Sequence, residues 1–148
     1  MLKILDWTIP LLPEDKPRHL LGIGKIEDLF DGVERGIDTF DCVIPTREAR
    51  HGRLWTQEGH FDITKSKYAS DPKPPDPNCS CPVCSAWHVR KKDLYEMFKS
   101  KAPDAARFAT IHNICFFNNL MEKIRQAISK NELKRLKNKN LPFPKISL

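Results

Sequence analysis

Three of the chain's five cysteines fall within six residues, at Cys79, Cys81 and Cys84 of the stretch DPNCSCPVC. Cys79 and Cys81 are too close along the chain to bond to each other without strain, and an odd total leaves a thiol over in any disulfide scheme. Cys81 and Cys84 form Cys-x-x-Cys, yet nothing around them resembles the βαβ context of a thioredoxin. Metal binding is the reading the crowding favours, with three reduced cysteines and no metal as the plainer alternative. Thiolates at Cys-x-Cys and Cys-x-x-Cys spacing let one loop supply several ligands to a tetrahedral ion such as zinc. The fourth ligand must come from elsewhere, and on the residues alone His88, His112 and Cys115 are all candidates. Four protein ligands leave no open position, so a structural ion is expected.

The 148 residues fit one ordinary domain. No apolar run approaches the roughly 20 residues that span a bilayer, and the N-terminus lacks the pattern of a signal peptide. A soluble, cytoplasmic protein with reduced thiols is expected. The net charge of +6 is unevenly placed: residues 86–148 hold fourteen Lys and Arg against five Asp and Glu. Such a balance suits a polyanionic partner, phosphate backbones above all, or simply a solvated, lysine-rich helix surface.

Along the chain, Pro10, Pro13 and Pro17 break residues 1–17 into a short helix end and a connector. RHLLGIG (Arg18–Gly24) reads as a buried strand and tight turn. Ile26, Leu29, Phe30 and Val33 make one helical face closed by Gly36, and TFDCVIP (Thr39–Pro45) reads as a second strand. Strand, helix and strand at this spacing predict a βαβ unit. A polar loop, TREARHG, leads to a hairpin of RLWT and HFDIT turning near Gly59. Beyond the cysteines, a helix is predicted from Ala86 to about Lys101, a break at Pro103, and a longer helix from near His112. Its apolar stripe would run through Ile114, Phe117, Met121, Ile124 and Ile128. The end, with Pro142 and Pro144, reads as a loose tail.

Asp41 interrupts the apolar run FDCVI. A carboxylate there must find partners or face a cavity at the strand end, since an unpaired buried charge is very costly. In barrels, strand ends carry the chemistry, which makes Asp41 a site candidate; capping a neighbouring turn is the plainer role. Asp38 reads as an ordinary loop residue.

RGIDTFDCVIPTREARHG, DPNCSCPVC and TIHN, in this order, resemble the tRNA-guanine transglycosylases of the bacterial, queuosine-forming type. The resemblance runs from LDWTIPLLPEDKPRHLLGIG to about Ser129. It implies an α/β fold: the last two strands of a (β/α)8 TIM barrel with an inserted zinc-binding subdomain and C-terminal helices. Residues 1–52 would end the barrel, 53–130 would hold the hairpin, zinc subdomain and helices, and 131–148 a basic tail.

By the same resemblance Asp41 matches the nucleophile, and His112 joins Cys79, Cys81 and Cys84 on one structural Zn2+. Leu21 and Gly22 would border the base pocket. Gly22, Ile23, Gly24, Lys25, Ile26, Glu27 and Asp28 match one RNA-facing segment, and Thr46, Arg47, Glu48, Ala49 and Arg50 another, with Arg47 and Arg50 the main contacts. The implied partners are the tRNA anticodon loop, guanine or a deazaguanine, and either a second copy in a homodimer or a complementing N-terminal portion. Family members run to well over twice this length. The general acid/base aspartate and about six barrel strands have no match here, so the chain alone is expected to be inactive. A zinc-stabilised, non-catalytic tRNA-binding or accessory subunit is the competing expectation.

Overall fold

The computed structural model describes residues 1–142. Helix α1 (Leu2–Thr8) and a 3-10 turn at Ile9–Leu11 precede the predicted strand–helix–strand unit. That unit consists of β1 (His19–Leu20), α2 (Ile26–Glu34) and β2 (Thr39–Phe40), with parallel strands in the register His19 to Thr39 and Leu20 to Phe40. Both strands are shorter than the apolar runs imply. β1 stops where Leu21 and Gly22 turn, Gly22 at φ 72°, and Leu21 is 74% exposed. β2 ends at Phe40, which puts Asp41 beyond the strand and in the open. Each strand has a single neighbour, so the ladder ends as soon as that neighbour turns away.

Helix α2 buries Ile26, Leu29 and Phe30 and ends as predicted at Gly36. The N–H groups of Gly36 and Ile37 donate to the carbonyls of Val33 and Gly32, and the left-handed backbone this needs, φ 87°, suits glycine.

The predicted polar loop TREARHG is largely helical. Pro45 opens α3 (Ile44–Arg50) rather than closing a strand, because a proline in the first turn forfeits no helical hydrogen bond. The antiparallel hairpin of β3 (Arg53–Thr56) and β4 (Gly59–Asp62) follows, turning through Gln57 and Glu58. The cysteine loop leads to α4 (Lys91–Lys99), which starts later than Ala86 because the Asp93 carboxylate accepts the Arg90 N–H at 2.9 Å and fixes the helix start there.

Helix α5 (Pro103–Ser129) is a single helix of 27 residues. Pro103 begins it, so the predicted start near His112 is nine residues late. Its inward face is Ala105, Ala109, His112, Asn113, Phe116, Phe117, Leu120, Ile124 and Ala127. Ile114 and Ile128, expected on that face, are exposed. The predicted basic tail contains α6 (Leu133–Asn140). Leu133 and Leu136 pack against the core, and Lys137 Nζ donates to Asp31 Oδ1 at 2.7 Å and Glu34 Oε2 at 2.6 Å. Pro144 lies outside the described residues.

Two apolar clusters share α5. One gathers Leu54, Phe61, Ile63, Val83, Leu94 and Ala109 around the cysteine loop. The other joins Phe30 and Ile26 of α2 to Trp55, Phe116, Phe117 and Ile124. Between them sits fully buried Asn113. Its Nδ2 donates to the carbonyls of Pro45 (3.0 Å) and Arg53 (2.9 Å), and its Oδ1 accepts the Trp55 N–H at 3.1 Å. Truncating it removes three hydrogen bonds to the main chain, one buried and two part-buried. Asn113→Ala should lower unfolding free energy by about 3 kcal/mol or more, measured by urea denaturation of the metal-loaded protein; a change below about 1 kcal/mol would contradict this role.

Candidate functional site

His112 lies one residue before Asn113 and is equally buried. Its Nε2 lies 2.8 Å from the Trp55 carbonyl, a contact that requires Nε2 to carry the proton and leaves Nδ1 as the unprotonated nitrogen. Nδ1 is 3.4 Å from Cys84 Sγ and 3.7 Å from Cys81 Sγ. With Cys79 added, the four ligand atoms lie within 4.8 Å of one another. A tetrahedral zinc-type ion, about 2.3 Å from sulfur and about 2.0 Å from nitrogen, would separate sulfur from nitrogen by about 3.5 Å. The donor set therefore fits a metal ion held by four protein ligands.

The loop supplies the three sulfurs through its own turns. The Cys79 N–H donates to the Asp76 carbonyl, the Cys84 N–H to the Cys81 carbonyl, and the Cys81 N–H to Cys79 Sγ at 3.5 Å. Three thiols this close cannot ionise freely together. The neighbouring sulfurs of Cys79 and Cys81, with burial, push the Cys84 thiol well up, while hydrogen bonds from Cys79 and Cys84 pull Cys81 down to about 3. A bound cation removes this conflict, and its binding expels protons. Of the other candidate ligands, His88 is exposed with φ 51° and Cys115 is half-buried beside the cluster; neither belongs to the ligand set.

The second locality is an open groove of about 340 Å3 that includes Asp41, Gly24, Cys42, Phe40, Ile114 and Met121 among its walls. Asp41 Oδ1 accepts the Gly22 N–H at 2.8 Å and lies 3.6 Å from His19 Nε2, whose other ring nitrogen meets Thr39 Oγ1 at 2.8 Å. The carboxylate thus satisfies itself at a strand end rather than inside the run FDCVI. Gly24 backs directly onto Cys42: a Cβ there would fall 1.8 Å from its Sγ.

Of the segment from Leu21 to Asp28, Ile23 and Gly24 line the groove; Leu21, Gly22, Lys25 and Glu27 are exposed, Ile23 and Asp28 are half-buried, and Gly24 is buried. On α3, Arg47 and Arg50 are exposed and Thr46 is half-buried. Within the expected RNA-facing segments, the side chains of Ile26 and Ala49, 1% and 0% exposed, pack into the core, because an amphipathic helix must spend part of every turn inward. Glu48 is also turned to the protein, accepting from Trp55 Nε1 at 2.9 Å and Arg53 Nη1 at 3.0 Å.

Asn113 and the Trp55 carbonyl complete the site beyond the residues expected from the sequence. A His-Asn pair on the inner face of a helix was the available signal, since buried polar side chains require partners. Two outcomes follow. Cys81→Ser and His112→Ala should each weaken metal retention at least about a hundredfold against a chelator, read by elemental analysis and competition; full retention in either contradicts the ligand set. Gly24→Ala should destabilise the chain by about 2 kcal/mol and be relieved by Cys42→Gly, measured by thermal unfolding.

Comparison with known proteins places these features. The sequence profile of the family described as queuine tRNA-ribosyltransferase matches residues 1–142. A queuine tRNA-ribosyltransferase of Mannheimia succiniciproducens is 50% identical over 131 residues, covering 88% of this chain and 34% of that protein. One from Clostridium botulinum is 41% identical over 141 residues, covering 95% of the chain and 37% of the relative. The chain thus spans about a third of the length of these curated relatives. With a match that takes in the cysteine loop, His112 and the Asp41 groove together, the chain belongs to the queuine tRNA-ribosyltransferase family.

Proposed function

We propose that the chain supplies the nucleophile and the metal-stabilised part of a tRNA-guanine transglycosylase, which exchanges guanine at the wobble position for a queuosine-precursor deazaguanine. The observation that carries this reading is Asp41. Its carboxylate follows directly on parallel strand β2, is oriented by the Gly22 N–H, and opens onto a groove. Ends of parallel strands are where barrels of alternating strands and helices hold their reacting groups. In this reading β1, α2 and β2 are the last units of a (β/α)8 barrel.

Glycosidic exchange on an intact polynucleotide passes through an oxocarbenium-like ribose. Asp41 attacks the anomeric carbon as the bond to guanine breaks, and the leaving base takes a proton from an acid outside this chain's matched motifs. The covalent aspartyl-ribose ester is then displaced by the incoming base, with retention of configuration. The Gly22 N–H occupies Oδ1, and Oδ2 is the oxygen available for attack. Leu21 and Gly22 border the base, and Arg47 and Arg50 contact the anticodon backbone. The ion is zinc, in keeping with three thiolates and one imidazole in a tetrahedral set, and its role is to hold the cysteine loop to α5. Work on tRNA is expected in the cytoplasm, and among the described residues no helix is long and apolar enough to cross a membrane.

Two strands cannot close a barrel, and exposed Leu21 and Val43 beside them call for a covering surface. The chain therefore acts with a complementing N-terminal portion, with self-association as a homodimer an additional state. Purified alone, it should not incorporate labelled guanine into cognate tRNA. With the N-terminal portion of a relative supplied, incorporation should appear, and Asp41→Asn should reduce it by about a thousandfold or more and abolish the denaturation-resistant RNA adduct. Full activity of Asp41→Asn would remove the nucleophile assignment and favour a non-catalytic tRNA-binding subunit. Exchange by the chain alone would remove the need for a complement.

A further inference from the structure

Folding pairs some cations of the basic second half and leaves others without an acidic partner among the described residues, Arg90, Lys92, Lys99, Lys101 and Lys134 among them outside the α5–α6 cleft. Acidic partners take up Lys91 (Asp71), Arg107 (Asp104), Arg125 (Glu122) and Lys137 (Asp31 and Glu34). Lys123 and Lys130 of α5 and Lys139 of α6 are exposed and have no acidic partner among the described residues. All three line a cavity of about 310 Å3 between α5 and α6, with Arg135 the fourth cation. Arg135 shares the cavity with one carboxylate, Glu132, at 3.0 Å.

Helix α6 is fixed in place. Leu133 and Leu136 pack on the core and Lys137 is clamped to α2, so Arg135 and Lys139, one turn apart, face the cleft from a set position. Lys123 and Lys130 are two turns apart on α5, about 10 Å along the axis. That spread exceeds the reach of one small anion and matches a charged polymer lying along the cleft.

We infer that the α5–α6 cleft binds the phosphodiester backbone of tRNA, at a surface separate from the Asp41 groove. The inference rests on the reading that this chain acts on tRNA. Clustered cations neutralising phosphates release counterions, which makes such binding steeply salt-dependent. Cations dominate the lining of the cleft, and contacts to phosphate add affinity and orientation without carrying sequence information.

The test uses the full, metal-loaded chain and a tRNA transcript with guanine at the wobble position. Lys123→Gln, Lys130→Gln and Lys139→Gln together should weaken binding about tenfold or more at low salt and flatten the slope of log affinity against log salt by about 2–3. A matched variant, Lys99→Gln, Arg107→Gln and Arg125→Gln, should retain most of the affinity. Unchanged affinity and slope in the first variant, or an equal loss in the second, overturns the inference. Lysine acetylation of the wild-type chain gives a readout that does not depend on how the variants fold. Bound tRNA should protect Lys123, Lys130 and Lys139, whereas inorganic pyrophosphate should not. Absence of protection, equal protection by pyrophosphate, or a chain that binds no tRNA overturns it as well. None of these results bears on Asp41, whose adduct and exchange assays are run separately with the complementing portion.

Discussion

The described fold depends on one pair of adjacent side chains. His112 and Asn113 project from the inner face of α5 and grip the same stretch of β3: His112 meets the Trp55 carbonyl, and Asn113 takes the Trp55 N–H and the Arg53 carbonyl. Asn113 also reaches the Pro45 carbonyl in the first turn of α3. Hairpin, helix and metal loop therefore meet at a buried polar knot. In a low-dielectric interior such a knot stabilises only while every member is satisfied. The contact to Trp55 also fixes which His112 nitrogen faces the sulfurs, so the hairpin helps set the metal donor.

Helix α5 distributes this order along its length. Its 27 residues extend about 40 Å. Near the middle it faces the cysteine loop through His112. Ile114, Phe117 and Met121 border the Asp41 groove, and Lys123 and Lys130 enter the basic cleft. Ile114, which looks like a core residue in the sequence, is exposed because it borders that groove rather than either apolar cluster.

Much of this was legible in the residues. The cysteine spacing announced a metal loop, the resemblance named His112 among three candidate ligands, and the hairpin and the Gly36 helix end follow from local turn chemistry. Where sequence and structure part, the causes are specific. Pro45 and Pro103 were read as stops, although proline is equally suited to opening a helix. The apolar runs around Leu21 and Val43 implied buried strands, but each strand has only one neighbour. Ile26 and Ala49 lie inside segments expected to face RNA, and their helical phase turns them inward. α6 could not be foreseen from a lysine-rich tail, because what fixes it is an ion pair between Lys137 and residues more than a hundred positions earlier.

The contact between Asp41 and Gly22 has a mechanical side. The oxygen of the carboxylate is held by a main-chain N–H in the turn after β1, a residue free to take its φ of 72° because it is glycine. The donor belongs to the main chain, so its position is set by the turn rather than by a rotamer. A surface that seats against the exposed turn at Leu21 and Gly22 therefore shifts or steadies the donor that the Asp41 carboxylate meets.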